Sequence, residues 1–164
     1  MTTVYVGVGS NIEREKHIKA AFNALASVAT RLRASTVYEC DPVGFDSHPF
    51  YNLVLELETD LSLPAFSHFL RRTEIKWGRE EQAQKYQDRT LDLDIVLFGE
   101  LVSDAHPQLP RSDIFKFPFV IQPLYELCPE RIVPGDGRTI KQIWQQVGRY
   151  DTLSPVDISL TTEK

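Results

Sequence analysis

Two aspartates stand two residues apart in the segment RTLDLDIVLFG, which covers residues 89–99. Polar and apolar residues alternate here, as in a β-strand whose side chains point to opposite faces in turn. One predicted face holds Leu91, Leu93, Ile95 and Leu97, and the other holds Asp92, Asp94, Val96 and Phe98. Because residues two apart on a strand are separated by about 6.6 Å, the carboxylates of Asp92 and Asp94 can lean onto one shared position.

Such a pair of acids suits metal-assisted phosphate chemistry. Two close carboxylates repel each other, and a divalent cation relieves that repulsion. Mg²⁺ prefers one or two carboxylates together with water and substrate phosphates, and neighbouring cations could neutralise those phosphates. The candidate cations are Arg79, Lys85, Arg89 and Arg111. The competing interpretation is that both acids lie on a solvated strand face or form salt bridges.

Composition and charge exclude several other classes. The net charge of -5 and the isoelectric point near 5.4 argue against a nucleic-acid-binding surface. No glycine-rich Walker A motif is present, which excludes a P-loop enzyme. Cys40 and Cys128 lack metal-ligand spacing, and we expect a reduced pair in a cytoplasmic protein. The sequence starts without a signal-peptide pattern and has no apolar run of membrane-spanning length, so no membrane association is expected.

The periodicities predict alternating strands and helices. Strands are predicted over 2–8, 31–39, 50–59 and 91–98, and amphipathic helices over 13–29 and 62–77. Short helices are expected within 119–130 and 139–147. The order β-α-β-β-α-β predicts an α+β, ferredoxin-like fold, with an antiparallel sheet, helices on one face and a free face for a ligand. We expect one domain over residues 1–149 and a loose tail over 150–164.

Five segments together resemble the 6-hydroxymethyl-7,8-dihydropterin pyrophosphokinase (2-amino-4-hydroxy-6-hydroxymethyldihydropteridine diphosphokinase) family of folate biosynthesis. They are VYVGVGSN, FYNLVLELET, EIKWGR, RTLDLDIVLFG and FVIQPLYEL, in this order along residues 3–146. The Asp-bearing segment is the most specific of them. The resemblance implies transfer of the β,γ-pyrophosphoryl group of ATP to 6-hydroxymethyl-7,8-dihydropterin, which gives AMP and the pterin diphosphate.

The resemblance also implies a role for each matching residue. Asp92 and Asp94 would hold two Mg²⁺ ions, and Arg79 and Arg89 would act with them in catalysis. The nucleotide would contact Arg71, Glu74, Lys85, Arg89, Ile95 and Arg111. The pterin would stack between Phe50 and Phe119, bond to Asn52 and meet the backbone around Cys40 and Val43. The family further implies ATP and the pterin as ligands. We expect a monomer, although the sequence itself does not determine the oligomeric state.

The chain departs from the family pattern mainly in one segment, GREEQAQKYQD. Family members usually carry other residues at the positions of Glu81, Tyr86, Gln87, Asp88 and Phe117, two of them arginine, and a histidine at Arg111. A guanidinium binds phosphate well, so Arg111 can replace the histidine, whereas Glu81 cannot replace an arginine. The alternatives are therefore a divergent paralogue with another pterin substrate or slow turnover, and a non-catalytic pterin- or nucleotide-binding module.

Overall fold

The computed structural model describes residues 1–78 and 90–161, and an antiparallel sheet organises this part of the chain. Its strands are β1 (Thr2–Ser10), β2 (Arg31–Ala34), β3 (Val37–Cys40), β4 (Phe50–Thr59), β5 (Asp92–Phe98) and β6 (Ser154–Val156). The helices are α1 (Arg14–Ala26), α2 (Leu63–Lys76), α3 (Pro118–Leu127) and α4 (Ile140–Val147), with 3₁₀ turns at Ser112–Phe115 and Tyr150–Thr152. The strands lie in the order β5-β1-β4-β3-β6, and β2 pairs with β4 beside β3.

The predicted α+β, ferredoxin-like class is confirmed. The first face of the sheet packs against α1 and α2 through alternating apolar residues of β1, β4 and β5. The start of α2 follows from its sequence, because the Ser62 side chain accepts a hydrogen bond from the Ala65 N–H at 3.3 Å and Pro64 lies in the first turn. Of these two helices, α2 packs against the Asp-bearing strand, and α1 packs against β1 and β4.

The second face of the sheet is covered only in part. The helices α3 and α4 pack on it through a second core that includes Tyr5, Val54 and Leu97 from the sheet. The sequence predicted helices on one face alone, because the short helices after β5 carried no signal for where they dock. The uncovered part of this face lies beside the start of α3.

A β-bulge interrupts β5. Tyr5 pairs with Leu97 and Val6 pairs with Ile95, so Val96 is the additional residue on β5. The predicted assignment of side chains to the two faces is correct as far as Val96 and wrong for the last two residues. Leu97 packs with α3 and α4, and Phe98 packs with the first-face core. Strict alternation could not reveal this slip, which depends on pairing with β1.

The segment after α4 is not a loose tail throughout, which corrects the expectation for residues 150–156. These residues form a 3₁₀ turn and then β6, which pairs antiparallel with β3. A three-residue strand with a proline at its centre carries no periodic signal, and its partner lies far away in sequence. Among the described residues, none of the helices is long and apolar enough to cross a bilayer.

Candidate active site

A cleft of about 460 Å³ opens on the uncovered part of the second face. It lies over β1, β4 and β5, next to the loop after β3 and the start of α3. Eight of the residues predicted for the site line it: Cys40, Val43, Phe50, Asn52, Asp92, Asp94, Arg111 and Phe119. The fold thus brings together residues from both halves of the sequence.

The acidic pair lies at the β5 side of the cleft. Asp92 and Asp94 pair with Gly9 and Gly7 of β1, so both carboxylates project from the same face of the sheet. Desolvation by the surrounding protein, and then the negative charge of Asp92, raise the pKa of Asp94 well above its ordinary value. The site therefore holds a carboxylate pair whose repulsion a bound cation would relieve.

Arg111 lies between two acids at this end. Its Nη2 atom is 3.5 Å from an Asp94 oxygen, and its Nε donates to Asp113 at 2.9 Å. Burial lowers the pKa of Arg111, but the charges of Asp94 and Asp113 outweigh it and leave that pKa raised. The backbone N–H of Arg111 donates to the Val96 carbonyl at 3.0 Å, which ties this cation to β5.

Aromatic and neutral polar side chains form the other end of the cleft. The Phe119 ring stacks on Phe117 with their centroids 5.0 Å apart, and Phe50 lines the cleft as well. The Asn52 amide donates to the Cys40 sulfur at 2.9 Å. Burial raises the pKa of Cys40 to about 11, so the thiol is neutral. This mixture suits a flat heterocycle with hydrogen-bonding edges.

Two glycines of β1 keep the floor of the cleft open. A Cβ atom at Gly9 would lie 3.0 Å from Oδ1 of Asn52 and 3.7 Å from Cδ1 of Phe50. A Cβ atom at Gly7 would lie 3.5 Å from a Val96 methyl. A side chain at position 9 would therefore displace the Asn52 amide, and glycine leaves that amide where it can meet a ligand.

The structure does not bring three predicted nucleotide contacts to the cleft lining. The side chain of Ile95 packs in the first-face core, since its position on β5 turns it toward α2. Glu74 on α2 is 4% exposed and accepts the Leu93 N–H at 2.8 Å, and Arg71 lies 3.8 Å from it. Arg79, Lys85 and Arg89, together with Glu81, Tyr86, Gln87 and Asp88, lie outside the described residues.

Several cleft residues were missed by the sequence analysis. They are Gly7, Gly9, Phe45, Asp113 and Lys116. The two glycines had a signal, because glycine is unfavourable inside a strand and often marks close approach of another group. Asp113 and Lys116 had none, since they lie in an irregular stretch whose position depends on the docking of α3.

The fold and cleft together define a class of protein: an α+β domain with a charged end and an aromatic end in one cleft, suited to a ligand that combines phosphates with a flat ring. The family model for 7,8-dihydro-6-hydroxymethylpterin-pyrophosphokinase (HPPK) matches residues 5–129. The chain therefore belongs to this family.

Curated relatives agree with the family match. The chain is 32% identical over 140 residues to the 2-amino-4-hydroxy-6-hydroxymethyldihydropteridine pyrophosphokinase of Haemophilus influenzae, covering 82% of this chain and 87% of that protein. It is 38% identical over 146 residues to the enzyme of the same name from Pseudomonas aeruginosa, covering 85% and 88%. The alignments span most of both proteins in each pair.

A solved structure supports the fold. The Plasmodium falciparum HPPK-DHPS crystal structure with SDX-DHP superposes with a TM-score of 0.68 at 10% identity and covers 89% of this chain. This chain covers 43% of that one, so it spans less than half its length. At this identity the likeness shows the shared fold.

Proposed function

We propose that this chain transfers the β,γ-pyrophosphoryl group of ATP to 6-hydroxymethyl-7,8-dihydropterin in folate biosynthesis. Family membership supports the reaction class. The single structural observation that carries the proposal is the cleft with an acidic pair and a cation at one end and aromatic rings at the other. Its two ends match the triphosphate and the pterin.

Asp92 and Asp94 fit a pair of Mg²⁺ ions in this proposal. Desolvation, and after it the charge of Asp92, raise the pKa of Asp94, and a hard cation bound between the two carboxylates would relieve both effects. Bound Mg²⁺ supplies charge neutralisation of the triphosphate and a template for in-line attack. Among residues 1–78 and 90–161, no larger group of acidic, histidine or cysteine side chains could hold a metal, so water and phosphate oxygens would complete the coordination.

The chain's own cations would hold the phosphates. Arg111 stays charged beside Asp94, and Lys116 lies at the cleft with its backbone fixed to the Asp113 carbonyl. A guanidinium can make two parallel hydrogen bonds to a phosphate, whereas an ammonium acts as a point charge. Arg79, Lys85 and Arg89 are proposed to add further phosphate contacts.

At the aromatic end, Phe50 and Phe119 would stack on the pterin, and Asn52 would bond to its edge. The hydroxymethyl oxygen then attacks the β-phosphorus of ATP. The new O–P bond forms as the bond from the β-phosphorus to the α,β-bridging oxygen breaks, so AMP leaves with that oxygen and the hydroxyl proton is released. Holding both substrates in one cleft supplies the alignment that this displacement needs.

A product assay tests the proposal. The purified chain is incubated with ATP, Mg²⁺ and 6-hydroxymethyl-7,8-dihydropterin, and nucleotides and pterins are separated. We expect AMP and pterin diphosphate in equal amounts, without ADP. Asp94→Asn should lower the activity about a hundred- to a thousandfold, and Asp104→Asn, at an exposed carboxylate, serves as the matched control. Binding of the pterin without formation of AMP would favour a binding module. The absence of both pterin binding and turnover would refute the proposal.

Two finer features belong to the same proposal. Cys40 and Cys128 are both free thiols, which agrees with a cytoplasmic enzyme in a reducing compartment. We also propose that the enzyme acts as a monomer. Sedimentation across a range of concentrations, with and without substrates, tests the oligomeric state.

A further inference from the structure

The C-terminal segment, residues 149–160, packs behind the aromatic end of the cleft. It lies beyond the family match, which ends at residue 129. Its strand β6 pairs with β3 in the register Val37↔Val156 and Glu39↔Ser154. Since β3 ends at Cys40, which lines the cleft, β6 extends the sheet directly next to the proposed pterin site.

Leu153 is the buried centre of this packing. It is 8% exposed and forms a small core with Tyr38 and Cys40, against which Phe119 and Tyr150 pack. Two of these residues, Cys40 and Phe119, also line the cleft. Leu153 thus contacts the group of residues that carries the aromatic end, from the side away from the ligand.

The start of the C-terminal segment is anchored at several points. The Tyr150 ring stacks on Trp144 of α4 with centroids 5.0 Å apart, and its hydroxyl donates to the Trp144 carbonyl. Arg149 donates to the Lys116 carbonyl at 3.0 Å. These contacts fix the backbone on the N-terminal side of Leu153 relative to α4 and to the rim of the cleft.

The end of the C-terminal segment crosses to the other face of the sheet. Val156, Ile158 and Leu160 pack against the core beneath α1 and α2, away from the cleft. One segment therefore packs apolar side chains on both faces, with Leu153 buried near the cleft wall and Val156, Ile158 and Leu160 half-buried on the other face. This difference separates an effect on the site from a general loss of packing.

We propose that Leu153 and Tyr150 are positioning residues that hold Phe119 and Cys40 in place for pterin binding. This inference rests on the proposed function. A stacked ring contributes its full interaction only at the correct spacing and angle, and side chains that bind a ligand need locked neighbours to hold that geometry. Loss of the Leu153 side chain would let Phe119 and Cys40 relax away from the ligand while the phosphate end stays unchanged.

The test compares Leu153→Ala with Ile158→Ala. Pterin affinity is measured by calorimetry with a non-hydrolysable ATP analogue and Mg²⁺ present; affinity for the analogue and the thermal midpoint are measured separately. We expect Leu153→Ala to weaken pterin binding about three- to tenfold, with analogue affinity unchanged. Ile158→Ala should lower the thermal midpoint and leave pterin affinity unchanged, and Leu153→Met should recover most of the affinity.

Two results would overturn the inference. Equal pterin affinity in wild type and Leu153→Ala would remove Leu153 from any positioning role, and so would equal losses in both alanine variants. If Leu153→Ala does not fold, Leu153→Val provides the same comparison with a smaller cavity. A wild-type chain that binds the analogue but no pterin would instead refute the proposed function, so the two failures are distinguishable.

Discussion

At the scale of single residues, Asp94 places stability and activity in opposition. Its charge is disfavoured by desolvation and by Asp92, and within residues 1–78 and 90–161 the charge of Arg111 opposes these effects. The folded, metal-free chain therefore holds a proton on Asp94 more tightly than the unfolded chain does. Acidic pairs of this kind persist where function requires them, at a cost in folding free energy.

Asp94→Asn should separate these two properties. The neutral amide removes the repulsion with Asp92, so the metal-free variant should melt about 2–4 °C higher, the shift that about 1 kcal/mol gives in a domain of this size. The rate of AMP formation should fall about a hundred- to a thousandfold, because a proposed metal ligand is lost. Scanning calorimetry and the product assay check both, and a lower midpoint would show that the ion pair with Arg111 dominates.

The titration of Asp94 provides a second prediction. Its pKa is raised in the folded chain, so the proton-linked stability is complete at low pH and is lost as the pH rises from the ordinary carboxyl range, about pH 4, through the raised value. Mg²⁺ favours the ionised form, so it should lower this pKa. Carbon-13 NMR of the side-chain carboxyl, with and without Mg²⁺, measures both. Titration in the ordinary range without metal would contradict the prediction.

Gly9→Ala tests the floor of the cleft. The added methyl would lie about 3.0 Å from the Asn52 amide oxygen, and moving that amide would strain its contact with Cys40. Overpacking of this kind costs about 1–3 kcal/mol of unfolding free energy, and we expect weaker pterin binding because the Asn52 amide is displaced. Gly7→Ala, on the same strand, is the comparison, since its added methyl would meet a Val96 methyl at 3.5 Å, an ordinary contact, and would not approach Asn52. Unchanged pterin affinity in Gly9→Ala would show that the Asn52 amide does not contact the pterin.

At the scale of secondary structure, α2 supports the strand that carries the acids. β5 is the outermost strand beside β1, so its outward N–H groups need partners beyond the sheet. Glu74 of α2 supplies one by accepting the N–H of Leu93, the residue between Asp92 and Asp94. This contact explains why a carboxylate is buried on the packed face of an amphipathic helix.

Glu74→Ala and Glu74→Gln should therefore differ. Alanine leaves the buried Leu93 N–H without this acceptor, which costs about 1–3 kcal/mol of unfolding free energy, and we expect slower turnover because the acids lose their support. The amide oxygen of glutamine can accept the same N–H, so most of the stability should remain. Urea unfolding and the product assay compare them. Equal losses would indicate that the charge of Glu74, beside Arg71, matters more than the hydrogen bond.

The sequence analysis predicted the strands and helices whose polar and apolar residues follow a regular period. It missed the contacts that depend on partners distant in sequence. Alternation placed Phe50, Asn52, Asp92 and Asp94 on the correct faces, and this was enough to assemble the core of the cleft. It failed after Val96, because the bulge reflects pairing with β1. It also failed to predict β6, since strand pairing between distant segments is a property of the folded chain and not of local composition.

At the scale of the whole molecule, the cleft lies on a sheet that has helices packed on both of its faces. Ligands that fill it contact β1, β4, β5 and the start of α3 at once. The three strands contribute residues to both hydrophobic cores, and α3 contributes to the second. Binding energy gained in the cleft should therefore stabilise the domain as one unit against unfolding.

Thermal shifts test this coupling. A non-hydrolysable ATP analogue with Mg²⁺, at a hundredfold excess over its dissociation constant, should raise the midpoint by about 5–10 °C. The same analogue with EDTA should give a much smaller shift, and so should Asp94→Asn with Mg²⁺. A shift that is independent of Mg²⁺ would argue against metal-assisted binding of the nucleotide.

The bulge at Val96 has a consequence for how this site arose. The carbonyl of the additional residue receives the Arg111 N–H, and Arg111 in turn reaches Asp94. The bulge changes which backbone groups of β5 face away from β1, and here the outward carbonyl is that of Val96. The bulge thus joins two stretches of chain that are distant in sequence. We therefore expect selection for catalysis to keep this irregularity, even where a regular strand would be more stable.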